Sequence, residues 1–300
     1  MSRNDIAVIV TTYNQVRLIG QCIESALAQE TIANITIYVH DDYSNDGTQD
    51  VIKYYEQKHP GKVIPVLSNF NKLSNRRSPI LDMVRYVDED FIAFLNGDDY
   101  WIDKTKLEKQ QKLMLENVNV GLVHTAFQTL NLEDTNAIPE SESPSSRMKR
   151  SRFGSSEDFL IGVQAKESSV MIRKSKIDHE FIEGSDHLVA TDWILYLSIA
   201  LKWDILFLDQ ETLVHRISKH GVWNGAQRKL QETMKSEVRW FAASKCPNLE
   251  LRRKFRKKVT SDFFLNQIEQ QRFLYFLLKS TRPLRHPIRQ AQIFRNRWQN

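Results

Sequence analysis

Cysteines and long apolar segments are scarce in this sequence. Its 300 residues include only two cysteines, Cys22 and Cys246, which lie far apart and outside any paired motif. This excludes a disulfide framework and a cysteine-based zinc site, and it favours a reducing compartment. The longest apolar runs, such as Phe273–Leu278, are far shorter than the roughly 20 residues of a membrane-spanning helix. The first residues also lack the features of a signal peptide. We therefore expect a cytoplasmic protein, soluble or peripherally attached to a membrane.

Glycine-rich phosphate-binding loops are also absent. The turn after the first apolar run has no G-x-G-x-x-G pattern, and the chain contains no G-x-x-x-x-G-K-[ST] motif. Because such loops cradle phosphates with backbone N–H groups, a nucleotide bound here must be held by side chains and metal. Thr11–Arg17 is not a glycine-rich basic loop either, which disfavours a nucleotidyltransferase as the alternative enzyme.

The formal net charge of +5 conceals an uneven distribution. Residues 226–300 contain 18 Lys and Arg against 5 Asp and Glu, which leaves 24 against 32 in residues 1–225. The clusters Arg252–Lys254 and Arg256–Lys258, with aromatic apolar residues nearby, predict a basic helical extension that contacts the inner face of the cytoplasmic membrane. A helical domain with solvated basic faces is the alternative. No RNA- or DNA-binding motif accompanies the charge, so nucleic acid is not an expected partner.

Apolar, β-branched runs alternate with segments of helical periodicity in the first hundred residues. Strands are predicted at 6–10, 35–39, 62–67 and 91–95, with helices between them. This alternation indicates an α/β fold with a mainly parallel central sheet. Ligands of such sheets bind at the carboxyl ends of the strands, so the polar turns after the first, second and fourth strands should share one edge.

The turn after the fourth strand carries two adjacent carboxylates, Asp98 and Asp99, in the segment FIAFLNGDDYW. Neighbouring carboxylates repel and raise each other's pKa unless a cation lies between them. Oxygen ligands suit Mg²⁺ or Mn²⁺, which usually complete their shells with water and substrate phosphates. The turn therefore predicts a divalent metal beside a nucleoside diphosphate. A solvated turn before a helix starting near Ile102 would also explain the pair.

Four ordered blocks carry a resemblance to a known family. VIVTTYNQ, YVHDDYSNDGT, NKLSNRRS and FLNGDDYW resemble the nucleotide-binding half of glycosyltransferase family 2, strongly over residues 5–125 and more weakly over 160–225. The resemblance implies a GT-A, Rossmann-like fold. It divides the chain into a nucleotide-sugar half at 1–125, an acceptor half at 126–225 and the basic helical extension at 226–300.

The resemblance also implies how the nucleotide would be held. Tyr13 would lie against the nucleobase, and the backbone of Thr11 would contact it. Asp42 would accept a hydrogen bond from uracil N3, which favours UDP or dTDP donors. Asp41 is expected to support the turn or to contact the ribose.

Arginine and carboxylate side chains are expected around the diphosphate. Arg77 matches the arginine that would brace the base or the diphosphate, with Arg76 as a rival. Asp98 would contact the ribose or a metal-bound water, and Asp99 would bind the Mn²⁺ or Mg²⁺ ion. Both carboxylates are therefore metal candidates.

The second half of the chain supplies candidates for the acceptor side. Ser168 and Ser169 match an acceptor-side strand and could line the sugar site. Asp192, in a segment resembling the family's ED-W helix start, is the candidate catalytic base that would deprotonate the acceptor hydroxyl. The same residue could simply complement the dipole of a helix N-terminus. Asp186 is the second choice for the base.

The segment around residues 213–224 resembles a family segment, YRxH…W, that folds over the diphosphate. Arg216 and His220 are its candidate diphosphate contacts, and His215 is a further candidate. The usual histidine position falls on Ser218. The polar segment 131–152 is expected to form a loop or a lid, or a surface insertion without function.

Two more positions depart from the family pattern. Asn96 replaces the first acid of the D-x-D motif, and an amide oxygen binds a hard cation more weakly. Tyr43 occupies a position that is commonly glycine, so a positive φ there would strain it.

Together these features predict an inverting, metal-dependent glycosyltransferase. Its donor would be a UDP-type nucleotide sugar, and its acceptor a glycan or lipid-linked glycan of cell-surface polysaccharide synthesis. The alternative is a non-catalytic carbohydrate-binding or scaffolding protein that keeps the GT-A fold.

Overall fold

The computed structural model describes residues 4–75, 77–134, 136–141, 153–154, 165–219 and 228–268. The chain forms two compact units, Met1–Ala226 and Gln227–Asn300. The predicted division of the first unit into a donor half and an acceptor half stays a prediction.

Strands and helices alternate through the beginning of the first unit. They are β1 Ile6–Thr12, α1 Ile19–Leu27, β2 Ile35–Asp41, α2 Thr48–Lys58, β3 Val63–Leu67, α3 Pro79–Tyr86, β4 Phe91–Asn96, β5 Tyr100–Trp101, α4 Lys106–Glu116 and β6 Val120–Asn131. Shorter elements follow: β7 Glu140–Ser141, β8 Phe153–Gly154, β9 Met171–Arg173, α5 His179–Ile182 and α6 Thr191–Ala200, before the long strand β10 Asp204–Ile217. Single 3-10 turns form at Glu167–Ser169 and Lys174–Lys176.

The described strands form one sheet in the order β3-β2-β1-β4-β9-β6-β10-β5, with β7 beside β6 and β8 beside β10. The pairs β1–β2, β1–β4, β2–β3 and β6–β10 are parallel. The short strands β5, β7, β8 and β9 pair antiparallel with their neighbours. The predicted α/β fold with a mainly parallel sheet is therefore confirmed.

The central strands are buried because both faces of the sheet are covered. Ile6–Val10 of β1 and Phe91–Leu95 of β4 are fully buried, which explains why they read as continuous apolar runs without polar alternation. Each buried Val, Ile, Leu or Phe side chain in these strands contributes roughly 1.5–3 kcal/mol to folding.

One predicted helix start is wrong by several residues. The helix expected near Ile102 begins at Lys106, because Tyr100 and Trp101 pair with β10 as strand β5. Asp103 then accepts hydrogen bonds from the backbone N–H and the hydroxyl of Thr105 at 2.9 and 2.8 Å, immediately before the helix.

The described part of the second unit, residues 228–268, contains the helices α7 Arg228–Lys245 and α8 Leu249–Ile268, which confirms the predicted helical extension. The side chain of Asn248 begins α8 by accepting backbone N–H bonds from Glu250 and Leu251 at 2.9 and 3.1 Å. Phe255 and Val259 of α8 are buried. None of the helices in the described part of the chain has the length and apolar character needed to cross a lipid bilayer.

Candidate active site at the carboxyl ends of the strands

Three polar turns meet at one edge of the sheet, as the strand pattern predicts. Thr11 at the end of β1 lies opposite Asn96 at the end of β4, and its hydroxyl donates to the Asn96 side chain at 3.3 Å. On the other side of β1, Thr12 lies opposite Asp41. The turn after β4 fits tightly against β1, because a Cβ atom on Gly97 would lie within 2.8 Å of Thr12.

The two acids at the end of β2, Asp41 and Asp42, both accept hydrogen bonds from neighbouring segments. Asp41 is fully buried and accepts hydrogen bonds from the backbone and hydroxyl of Ser44 and from the Gln49 amide. Asp42 accepts the backbone N–H groups of Lys72 and Leu73 at 2.6 and 3.1 Å. Asp41 therefore supports its own turn, and Asp42 holds the segment that follows β3 beside it.

The predicted contacts of the nucleotide lie around this edge. Tyr13 is 48% exposed and lies beyond the end of β1. The carboxylate of Asp42 has acceptor capacity beyond its two backbone bonds, so its contact with uracil stays a prediction. Arg77 is exposed, with its guanidinium 4.0 Å from Asp82. Arg76 lies outside the described residues.

Asp99 is the centre of a buried hydrogen-bond network. Its Oδ2 accepts a bond from the Ser168 hydroxyl at 2.5 Å. Its Oδ1 accepts bonds from His215 Nδ1 at 2.9 Å and from the Arg216 backbone N–H at 3.0 Å. These bonds join the turn after β4 to the 3-10 turn before β9 and to the end of β10. They also fix the orientation of the Asp99 carboxylate.

Arg216 brings a positive charge to the same turn. Its guanidinium donates to the Asp98 carbonyl at 2.9 Å and to the Gln21 side chain, and it stacks 4.5 Å from the centre of the Tyr100 ring. The side chain is buried, and these contacts hold its guanidinium at the backbone of the turn that carries Asp98 and Asp99. His220, the other predicted diphosphate contact, lies outside the described residues.

Asp98 carries negative charge that the protein compensates poorly. It is half-buried, and burial followed by the charge of Asp99 raises the pKa of Asp98 to about 6. Its side-chain oxygens are the type of donor that a hard cation prefers, and such a cation would oppose this shift. Among the residues that the structure describes, no group of three or more His, Cys, Asp and Glu side chains is arranged to hold a metal. The half-buried Asp98 carboxylate fits a Mg²⁺ or Mn²⁺ ion that takes its remaining ligands from water and substrate phosphates. Both oxygens of the buried Asp99 already accept hydrogen bonds, and its contact with the metal stays a prediction.

Ser168 and Ser169 form hydrogen bonds within the protein, and their contact with the acceptor stays a prediction. Both are fully buried. Besides donating to Asp99, the Ser168 hydroxyl accepts the backbone N–H of Asn96 at 3.0 Å, and the Ser168 carbonyl accepts from the Trp101 indole at 2.8 Å. The Ser169 hydroxyl donates to the Lys166 carbonyl at 2.6 Å. Their hydroxyls hold the site together from inside, because the packing of the 3-10 turn leaves neither one exposed.

The two candidate bases, Asp192 and Asp186, have different surroundings in the structure. Asp192 lies in the first turn of α6, half-buried, and burial raises its pKa. Asp186 instead forms a bidentate ion pair with Arg85, with N–O distances of 2.5 and 3.2 Å. The hydrogen bond from Arg85 lowers the pKa of Asp186. A carboxylate already neutralised by an arginine is a poor proton acceptor, so Asp192 is the stronger candidate.

Glu167 was missed by sequence reasoning. Burial, followed by the charge of Asp192, raises the pKa of Glu167 to about 8, with Asp98 and Asp99 adding to the shift. The buried hydroxyl of Tyr196 has no hydrogen-bond partner, and the charges of Glu167 and Asp192 add to the effect of burial in raising its pKa. The sequence feature that could have indicated Glu167 is its position directly before Ser168 and Ser169. Acids from three parts of the chain therefore interact at this site.

The fold defines a class of protein. The mainly parallel α/β sheet, with its polar turns at one edge, is the GT-A fold of glycosyltransferases. The crystal structure of S. aureus TarS 1-349 in complex with UDP superposes with a TM-score of 0.62 over 92% of this chain and 75% of that chain, at 17% identity. This likeness supports the fold.

Residues 7–175 match the model of "Glycosyl transferase family 2", which is more than half of the chain. The chain belongs to this family. An uncharacterized protein of Mycobacterium tuberculosis is 24% identical over 231 residues, which are 76% of this chain and 64% of that protein. The chain therefore spans slightly less than two thirds of this relative. UDP-Glc:alpha-D-GlcNAc-diphosphoundecaprenol beta-1,3-glucosyltransferase WfgD of Escherichia coli is 33% identical over 129 residues, which are 42% of this chain and 47% of that enzyme.

Proposed function

We propose that the protein is an inverting, metal-dependent glycosyltransferase. It transfers a sugar from a UDP-type nucleotide sugar, with a dTDP-sugar as the other pyrimidine donor, to a glycan or lipid-linked glycan in cell-surface polysaccharide synthesis. The observation that carries the proposal is the meeting of Asp98, Asp99 and Arg216 at the strand ends, on the edge where Tyr13 and Asp42 also lie. The name of the E. coli relative, a glucosyltransferase with a UDP-Glc donor and a diphosphoundecaprenol-linked acceptor, supports the choice of substrates.

The charges of the site suit the departure of a nucleoside diphosphate. Asp98, with Asp99 beside it, would hold a Mn²⁺ or Mg²⁺ ion, whose chemistry is to neutralise charge that develops on the leaving diphosphate. Glycosyltransferases of this fold commonly use a divalent metal. Arg216 adds a fixed positive charge at the same turn, and Tyr13 would contact the base.

Asp192 supplies the base for the transfer. Its ionised carboxylate would accept the proton of the acceptor hydroxyl while that oxygen bonds to the anomeric carbon. The bond from the anomeric carbon to the diphosphate breaks on the opposite face, which inverts the configuration. Burial raises the pKa of Asp192, which makes its carboxylate a stronger proton acceptor than an exposed one.

Nucleotide titration tests the donor site directly. Calorimetry of the purified protein with UDP, dTDP, GDP and CDP, each with Mn²⁺ and then with a chelator, should show metal-dependent binding that prefers UDP or dTDP. Failure to bind any of the four with either addition would contradict the proposal. If UDP or dTDP binds, the matching sugar nucleotides become the donors for transfer assays.

The alternative is a carbohydrate-binding or scaffolding protein without activity. Asn96 in place of an acid favours it, because an amide binds a hard cation more weakly than a carboxylate. Metal-dependent release of UDP from UDP-sugars above background would exclude this alternative. Nucleotide binding with neither hydrolysis nor transfer would support it.

The exposed basic face of α8 supports peripheral contact with an anionic membrane. Its four exposed members are Arg253, Lys254, Arg256 and Lys257. Each such residue near an anionic surface contributes about 1 kcal/mol to binding. Changing all four to Glu should abolish sedimentation with anionic vesicles, whereas Lys53→Glu with Lys58→Glu on α2 should not. Equal sedimentation of the two variants would refute the membrane role.

A further inference from the structure

Tyr43 has a backbone conformation that a tyrosine rarely adopts. Its φ is 71°, in the left-handed region, where a bulky side chain is strained and a glycine is not. The side chain is 54% exposed, so core packing does not explain why a tyrosine stands there. A glycine would satisfy the same backbone without strain. The exposed aromatic ring is therefore available for contact with a ligand.

The surrounding turn holds Tyr43 in place from both sides. The preceding Asp41 is fully buried and bonds to the backbone of Ser44 at 2.9 Å and to the Gln49 amide at 2.7 Å. Asp42 bonds to the backbone of the segment after β3. Strained residues persist where neighbouring structure determines their conformation, and such positions concentrate at ligand sites.

The turn of Tyr43 is also bonded to the turn of Tyr13. The backbone N–H of Asn14 donates to the Ser44 hydroxyl at 2.8 Å, and the backbone N–H of Asn45 donates to the Asn14 side chain at 3.0 Å. Asn14 itself has a φ of 51°. Two exposed tyrosines thus lie next to the hydrogen bonds that join the ends of β1 and β2.

We propose that Tyr43 is a second aromatic contact for the nucleobase of the donor, alongside Tyr13. This inference rests on the proposed function, because it takes the shared edge as the nucleotide site. A flat aromatic ring suits the face of a base, whereas a charged phosphate gains little from it. Tyr43 would contribute to base affinity and leave the affinity for the diphosphate unchanged.

Three variants and two ligands test the proposal. Tyr43→Asn keeps a residue that tolerates a positive φ but removes the ring, and Tyr43→Phe keeps the ring. Tyr54→Asn is the matched control, because Tyr54 is equally exposed, at 55%, but lies on α2. The ligands are UDP and inorganic pyrophosphate, each titrated with Mn²⁺, and the melting temperature of each variant is measured without ligand.

Tyr43→Asn should weaken UDP binding about tenfold, which is the effect of losing one base–aromatic contact. The same variant should bind pyrophosphate as the unmodified protein does, and it should melt at the same or a higher temperature because the strain is relieved. Tyr43→Phe and the Tyr54 control should retain UDP affinity. Unchanged UDP affinity in Tyr43→Asn would overturn the inference, and so would an equal loss of UDP and pyrophosphate binding.

The outcomes separate this inference from the function on which it rests. If Tyr13→Ala weakens UDP binding and Tyr43→Asn does not, the donor site stands and the role of Tyr43 is wrong. If the unmodified protein binds no nucleotide, the proposed function and this inference both fail.

Discussion

Ser168→Ala tests the buried network that holds Asp99. The Ser168 hydroxyl donates to Asp99 at 2.5 Å and accepts the backbone N–H of Asn96 at 3.0 Å, in a fully buried position. Alanine leaves the Asn96 N–H unpaired and takes one donor from a carboxylate. Each unsatisfied buried group costs about 1–3 kcal/mol. Because Asp99 keeps its bonds from His215 and Arg216, we expect a total loss of about 3 kcal/mol in the free energy of unfolding.

Ser169→Ala is the matched control. Ser169 is also fully buried, and its hydroxyl donates to the Lys166 carbonyl at 2.6 Å. That carbonyl also accepts the backbone N–H of Ser169 at 2.8 Å, so alanine leaves it with a partner. We expect a loss of about 1 kcal/mol or less. Urea denaturation followed by tryptophan fluorescence would measure both variants, and equal losses would refute the special role of Ser168.

Ser168→Ala also shows whether Ser168 supports the donor site or contacts the acceptor. If Ser168 orients Asp99, Ser168→Ala should weaken Mn²⁺-dependent UDP binding and leave the KM for the acceptor unchanged. If Ser168 contacts the acceptor, the acceptor KM should rise while UDP binding and the free energy of unfolding stay as they are. The second result would show that Ser168 contacts the acceptor during transfer and does not orient Asp99.

Three further predictions concern the acids around this network. Asp98→Asn should leave the fold intact and remove most of the difference between UDP binding with Mn²⁺ and with chelator, whereas persistence of that difference would exclude Asp98 as a ligand. Asp192→Asn should bind UDP normally and lower transfer by about 10²–10⁴-fold, the usual contribution of a general base; Asp186→Asn is its control, and equal losses would exclude Asp192 as the base. The pKa of Glu167 is raised to about 8 in the folded protein, so this group makes folding less favourable as pH rises from about 4.5 to 8. Glu167→Gln should therefore stabilise the metal-free protein by about 4 kcal/mol near pH 8 and hardly at all near pH 4.5, and a pH-independent difference in urea denaturation would refute this pKa.

Local sequence patterns were sufficient to predict the parallel strands at the beginning of the chain. The apolar runs that became β1, β2, β3 and β4 are each continuous in the chain, and the polar residues that end them are adjacent to them. A strand buried on both faces needs only local apolar character, and parallel strands bring their turns to one edge as a consequence of topology. The four ordered blocks, which lie in this part of the chain, also indicated glycosyltransferase family 2 correctly.

Tertiary structure decided which side chains can act. The partners of Asp99 lie 69, 116 and 117 residues away in the chain, so no local pattern reports that its carboxylate is held by Ser168, His215 and Arg216. The same limit applies to Asp186, whose partner Arg85 lies 101 residues away. Sequence spacing leaves Asp186 and Asp192 both open as bases, and only the ion pair separates them.

The remaining differences have the same cause. Pairing of Tyr100 and Trp101 with β10 moved the start of α4, although the local residues allowed an earlier one. The raised pKa of Glu167 comes from burial and from Asp192, neither of which its sequence neighbours reveal. Periodicity and turn residues are local properties of the chain and can be read directly. Burial, ion pairing and shared hydrogen bonds depend on residues far apart in sequence, and they exist only once the sheet has brought those residues together.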